Sequence, residues 1–376
     1  MTPVLVLGAG KIGVMIAEFL ARSGDYAVTL ADQDAAALGR EGLAAGVKTL
    51  AFPVEDRGAL AKALQDQYAV LSACPYHLNP LIAEAARDAG VHYFDLTEDV
   101  ESTRAVKRLS QDATTALVPQ CGLAPGFISI VAHDLTERFD SLHNVHLRVG
   151  ALPRYPSNAL KYNLTWSTDG LINEYCNPCE AIVEGELREV PPLEEKEHFS
   201  LDGVDYEAFN TSGGLGTLCE TLQGRVDNLN YRTVRYPGHC DIMRMLIRDL
   251  RLGERREVLK DIFEYALPVT LQDVVLIFVT VSGYRDGRFM QETYAHKVYA
   301  REINGRVRSA IQITTASGIC AMLDLLRAGL LPQRGFVRQE QAKFADFIAN
   351  RFGRNFARAE DLALMGAATD LAEKVA

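Results

Sequence analysis

From residue 3 to about 122, short apolar, β-branched runs alternate with longer amphipathic stretches, the pattern of a parallel sheet with helices on both faces. Six strands are predicted, at residues 4–7, 28–31, 47–51, 69–72, 93–96 and 116–118, with helices starting near Lys11, Ala35, Arg57, Asn79 and Val100. None of these runs alternates, as expected of strands covered on two sides. After Gly122-Leu123-Ala124-Pro125-Gly126 the texture changes. A helix-like stretch at 127–139 gives way to alternating segments at 143–149, 161–166 and 272–282. The run 274–281 and its counterpart 293–300 flank Asp286-Gly287, which reads as a hairpin and predicts an antiparallel sheet. Residues 310–326 read as a helix with Ile311, Thr315, Ile319, Met322 and Leu326 on one stripe, and a basic helix is expected after Gln333. The organisation expected is a first domain over 1–125, a second over 126–314, and C-terminal helices over 315–376 that pack back on the first.

Composition narrows the choices. With 376 residues and 48% apolar positions the chain can bury a sizeable core. Its 39 Lys and Arg against 49 Asp and Glu give a net charge of −10, without a long run of one sign, so nucleic acid is not an expected partner. No basic leader opens the sequence and no apolar run is long enough to span a bilayer, so no membrane association is expected. Seven scattered Cys read as reduced thiols and a cytoplasmic location.

Gly8-Ala9-Gly10-Lys11-Ile12-Gly13 follows a predicted strand and opens an amphipathic helix, the context that a dinucleotide fingerprint needs. Gly8 permits the tight turn, Gly10 lets backbone approach a pyrophosphate, Gly13 lets helix and strand pack closely, and the helix N-terminus at Lys11 and Ile12 faces the phosphates. The second strand ends at Asp32, where a carboxylate accepts from the adenosine ribose hydroxyls. Gln33 and Asp34 follow, so a 2′-phosphate would meet repulsion and NAD is favoured over NADP. Val54 after the third strand and Ala73-Cys74 after the fourth fall where loops meet the adenine and the nicotinamide.

Chemistry is expected at the same sheet edge and in the second domain. Tyr76 and His77 follow the fourth strand, and Asp95 ends the fifth: His77 is a candidate proton relay and Asp95 a group to orient a base or a substrate amine. Lys161, if desolvated, would be a general base. Tyr162, Trp166, Asp169 and His239 are polar or aromatic groups in apolar surroundings, and Arg235 is a candidate fork for a substrate carboxylate. Cys176-Asn177-Pro178-Cys179 has metal or redox spacing, but no second pair follows, so no metal is expected.

Leu164-Thr165-Trp166-Ser167 with Glu174-Tyr175, Tyr206-Glu207-Ala208-Phe209 and Arg235-Tyr236-Pro237-Gly238-His239, together with the glycine fingerprint and Gly122–Gly126, resemble the saccharopine dehydrogenase-like family, most closely its lysine 6-dehydrogenase branch. The resemblance implies an α/β fold: a Rossmann-type doubly wound parallel sheet completed by the C-terminal helices, and a second α+β domain on an antiparallel sheet that carries substrate, catalysis and oligomerisation. It implies NAD-dependent oxidation of a C–N bond in a small amino-acid substrate by a homodimer or homotetramer. In that branch ε-deamination of lysine gives a product that cyclises to a piperideine carboxylate; a secondary amine such as saccharopine, or cofactor binding without turnover, is the alternative.

Overall fold

A computed structural model describes residues 1–39 and 43–361 of the chain. It divides into two compact units. One comprises Met1–Thr97, Ser102–Gly122 and the chain from Thr314 onward; the other comprises Glu98–Glu101 and Leu123–Ile313.

In the first unit the predicted strands appear as β1 (Thr2–Leu7), β2 (Tyr26–Asp32), β3 (Lys48–Ala51), β4 (Ala69–Ser72), β5 (His92–Phe94) and β6 (Ala116–Val118). Their helices are α1 (Lys11–Arg22), α2 (Ala35–Leu38), α3 (Arg57–Leu64), α4 (Asn79–Ala89) and α5 (Val100–Leu109). The sheet is parallel and seven-stranded, in the order Gly335–Phe336, β6, β5, β4, β1, β2, β3. Strand order therefore reverses between β1 and β4, where Leu7 pairs in register with Ser72. Ligands in such sheets bind beside the carboxyl ends at that reversal. Met15, Ile16, Ala17 and Leu20 of α1 are fully buried, and the three larger side chains are each worth about 1.5–3 kcal/mol of apolar transfer.

The structure corrects two expectations here. The β3 run is exposed at every position, because it is an edge strand rather than one covered on both faces. The chain beyond Gln333 is not one basic helix. It adds the two-residue strand Gly335–Phe336 beside β6 and then the short helix Phe344–Ala349, and a two-residue strand leaves no periodicity to detect. The predicted helices beyond 361 lie outside the described residues. Asp324, near the end of the helix Ala310–Arg327, anchors this tail: it accepts from Tyr26 Oη, Asn350 Nδ2 and the Arg351 guanidinium.

The second unit opens with α6 (Phe127–Thr136) and β7 (Ser141–Pro153), and continues through α7 (Thr168–Cys176), β8 (Cys179–Val183), β9 (Glu186–Val190), β10 (Glu197–Leu201), β11 (Val204–Asn210), β12 (Val226–Arg235), β13 (Asp273–Arg285) and β14 (Arg288–Tyr299). The main sheet runs β10, β11, β12, β7, β13, β14, with the β8–β9 hairpin joined to β12. It is mixed, since β7 and β12 are parallel while the other pairs are antiparallel. More than seventy residues separate those two strands, ample for the crossover that parallel pairing requires. The β13–β14 hairpin turns at Asp286-Gly287, both at positive φ, as its sequence predicts. Residues 161–166 are not a strand: Leu164 makes an isolated bridge to Val269 and Lys161 has φ +52°. Among the described residues no helix is long and apolar enough to cross a membrane.

Candidate active site

Backbone builds the candidate site of the first unit. Gly8 has φ +95°, and a Cβ there would stand 2.8 Å from Ala73 O; one on Gly13 would stand 1.8 Å from Gly8 O. A Cβ on Gly10 would meet nothing within 4 Å, so the space above the start of α1 is open. Gly10 caps α1 without any side-chain hydrogen bond, leaving the end of the helix dipole, at Lys11 and Ile12, to meet an anion. The Asp32 carboxylate is fixed from two sides, with Ala9 N donating to Oδ2 at 2.6 Å and Asp34 N to Oδ1 at 2.8 Å. Each oxygen keeps a lone pair for a ribose hydroxyl. This is a cradle of a size and polarity that fits a dinucleotide.

Around it, Ala73 N donates to Leu7 O at 2.8 Å, which locks the β4 loop against β1. Val54 is buried in the apolar cluster with Phe52, Leu60 and Val70. Cys74 is half-buried, and burial pushes its thiol up to about 12, so it is a neutral group rather than a thiolate. Tyr76 and His77 lie on the short turn Tyr76–Leu78, with His77 exposed and edge-on to Tyr76 at 5.9 Å. Asp95 differs from expectation. It is fully buried and accepts from Tyr93 Oη (2.7 Å), Thr97 N (3.0 Å) and Gln120 N (2.8 Å). Burial outweighs these donors and raises it to about 6, but a carboxylate so enclosed holds two loops and reaches no substrate.

In the second unit a chain of polar groups is buried. Arg235, at the end of β12, is 3% exposed; its Nε donates to Tyr175 Oη at 2.8 Å and its Nη1 to Val234 O at 2.9 Å. Tyr175 Oη is 3.0 Å from His239 Nε2, and His239 Nδ1 is 2.9 Å from Leu160 O. A carbonyl only accepts, so Nδ1 carries the proton and Nε2 accepts from Tyr175. Burial and then the Arg235 charge push His239 down to about 3, keeping it neutral. The guanidinium lies over the Tyr162 ring at 5.0 Å and the Tyr175 ring at 5.8 Å. Nη2 has no partner among the described residues, which leaves a preset donor for an anion.

Trp166 is half-buried in the same apolar cluster as Tyr162 and Tyr175. Two candidates fall outside this arrangement. Lys161 is exposed, with Nζ donating to Pro237 O at 2.9 Å, so it lacks the desolvation that a lysine base needs. Asp169 points to solvent and pairs with Lys260 at 2.7 Å. Sequence reasoning missed the acidic side of this pocket. Glu174, on α7, is 6% exposed, and burial raises its carboxyl to about 8 against the opposing pull of Arg235, with Glu98 adding to the rise. Its place four residues after Gly170 on one helix face was the available signal. The cysteines are free, and among the described residues no three His, Cys, Asp or Glu side chains gather to hold a metal.

Two family profiles match this chain: the saccharopine dehydrogenase NADP binding domain over residues 4–121 and the saccharopine dehydrogenase C-terminal domain over 122–355. The chain belongs to the saccharopine dehydrogenase family. The mitochondrial alpha-aminoadipic semialdehyde synthase of Rattus norvegicus is 22% identical over 300 residues, which are 74% of this chain and 31% of that protein, so the chain spans about a third of this relative's length. The Saccharomyces cerevisiae saccharopine dehydrogenase [NADP(+), L-glutamate-forming] is 25% identical over 262 residues, 65% of this chain and 57% of that one. Among solved structures, apo saccharopine dehydrogenase (L-Glu forming) from S. cerevisiae superposes with a TM-score of 0.76 at 17% identity, covering 90% of this chain and 94% of that one. The NAD complex of homospermidine synthase from Legionella pneumophila gives 0.66 at 13% identity, covering 94% and 89%. At these identities the family's structures share the fold with this chain.

Proposed function

We propose that this member of the family is an NAD-dependent oxidoreductase that deaminates an amino acid at its side-chain amine, with the ε-amine of L-lysine as substrate and a semialdehyde that closes to a piperideine carboxylate as product. The observation that carries the reading is the Arg235–Tyr175–His239 chain. It holds a buried guanidinium with its Nη2 donor uncommitted, in the same unit as the buried acid Glu174, which suits a molecule with a carboxylate at one end and an amine at the other. NAD, when bound, supplies the hydride acceptor. The chain's own residues orient the rest: Asp32 selects an unphosphorylated ribose, and Arg235 fixes the substrate carboxylate.

The names of the relatives favour a second reading, oxidation of the secondary amine of saccharopine with NADP. Saccharopine carries several carboxylates, and a further one placed at this acidic end would be repelled by Glu98, the like charge that also raises Glu174. The test is a matrix of L-lysine and saccharopine against NAD and NADP, read by nicotinamide absorbance. Reduction of NAD by lysine supports the proposal. Turnover of saccharopine alone replaces it with the second reading, and tight NAD binding without turnover of any amine makes the chain a cofactor-binding protein.

A further inference from the structure

The acidic end of the pocket has a geometry of its own. The stem of Glu174 is buried, its carboxyl makes no hydrogen bond to another described residue, and its oxygens are not sealed off, so they border open space. The Glu98 side chain lies against α7 at Gly170, one turn before Glu174. A Cβ on Gly170, on the same face of α7 as Glu174, would come 2.8 Å from Glu98 Oε1, and a Cβ on Gly213 would come 2.3 Å from Glu98 O. The two glycines are thus what admit the second carboxylate beside the first. Ser212 N donates to the Glu174 carbonyl at 3.0 Å and fixes that loop to α7. The groups facing Glu174 are Glu98, Arg235 and Tyr231 from β12, Tyr162, Tyr175 on its own helix, and Cys179 at the start of β8; Arg235 is the cation among them.

We propose that Glu174, with Glu98 beside it, is the residue that takes the proton from the substrate's ammonium group. The inference rests on the amine-oxidising reading above. In the step, an ammonium N–H bond breaks, the Glu174 O–H bond forms, and nitrogen keeps the electron pair. That pair becomes the second C–N bond as the adjacent carbon gives up its hydrogen as hydride to NAD, leaving an iminium for water to hydrolyse. An ammonium has no such pair, so hydride loss waits on this transfer. The elevated proton affinity of Glu174 suits the task, because an ordinary carboxylate is far too weak a base to relieve an amine.

Lysine titrated calorimetrically into the protein without NAD, in buffers of different ionisation enthalpy, tests the assignment apart from turnover. Near about pH 7 the empty Glu174 holds its proton, and pairing with an ammonium expels one, so release of close to one proton is expected, fading to none above about pH 9. Glu174→Gln should release none while binding NAD normally. Its kcat should fall by about 10²–10⁴ and climb steadily as pH approaches the amine's own pKa, where solvent provides the free amine. Glu98→Gln removes a like charge and should move the acid limb of the wild-type profile to lower pH, which serves if the first variant fails to fold. Wild-type oxidation of lysine with no proton release on binding, or Glu174→Gln with wild-type kcat and pH profile, would overturn this proposal and leave the amine-oxidising reading standing. Absence of any amine oxidation by the wild type would remove the reading itself.

Discussion

The two candidate sites, one in each unit, are made differently. In the first unit the cradle is contiguous: Gly8, Gly10 and Gly13 lie within six residues, Asp32 is one strand away, and most of the donors are backbone amides. In the second unit the pocket draws Glu98, Tyr162, Glu174 and Tyr175, His239 and Arg235 from separate segments, and its functional groups are side chains rather than backbone amides. A backbone cradle tolerates little change in shape and reads one common ligand. A side-chain pocket changes its ligand by exchanging one residue, which is where specificity within the family can diverge.

Substitutions should separate the two sites. The largest effect is expected from Gly13→Ala, whose Cβ would lie 1.8 Å from the backbone Gly8 O, which cannot move without opening the turn. NAD binding should weaken at least about 100-fold, equivalent to about 3 kcal/mol, measured by NADH fluorescence titration. An unchanged affinity would mean that the cofactor does not use this turn. Next, Arg235→Met leaves Tyr175 Oη with one donor fewer and removes the carboxylate partner. It should cost about 2–5 kcal/mol in kcat/KM for lysine while leaving NAD affinity alone. A parallel loss of NAD binding would erase the distinction between the two units' sites.

Asp32→Ala should weaken NAD by about 10- to 100-fold, the worth of a charge-assisted hydrogen bond or two, and NADP much less. Equal losses would contradict the cofactor choice. A pH effect sharpens the contrast further. Glu174 is raised to about 8 from an ordinary 4.5, so the folded state binds the extra proton between these values; its contribution is whole below 4.5 and is lost as pH rises through about 8. The ligand-free protein should therefore melt lower at pH 9 than at pH 6, by an amount that Glu174→Gln reduces, with each pKa unit worth about 1.4 kcal/mol. The smallest effect is expected for Asp169→Asn, which breaks one exposed ion pair worth about 0–1 kcal/mol and should leave kcat near the wild-type value.

The same contrast explains how far the sequence could be read. The cradle was legible because glycine spacing, helix start and Asp32 obey local rules that one strand and one turn enforce. The sheet of the first unit was legible for the same reason, apart from Gly335–Phe336, too short for a pattern, and β3, an edge strand where Leu50 and Ala51 are exposed together with Lys48 and Thr49. In the second unit Arg235 and Tyr162 stood out as polar groups in apolar surroundings. Glu174 did not, since its place four residues after Gly170 is the one local mark on a carboxylate among 49 acidic residues; its burial comes from packing between α7, the Ser212–Gly214 loop and Tyr231. Lys161 and Asp169 misled in the converse way: each adjoins buried residues yet turns to solvent because of its own backbone position.

The account's central claim is that a guanidinium held by Tyr175 and His239 anchors an amino acid by its carboxylate while the far amine is oxidised. Comparing kcat/KM for L-lysine and 1,5-diaminopentane, the same diamine without the carboxylate, at saturating NAD tests it most directly. The account predicts oxidation of lysine with an advantage of at least about 100-fold, which Arg235→Met abolishes, in keeping with about 3 kcal/mol for a buried charge pair. Equal rates for the two amines, or no NADH from either, would contradict it.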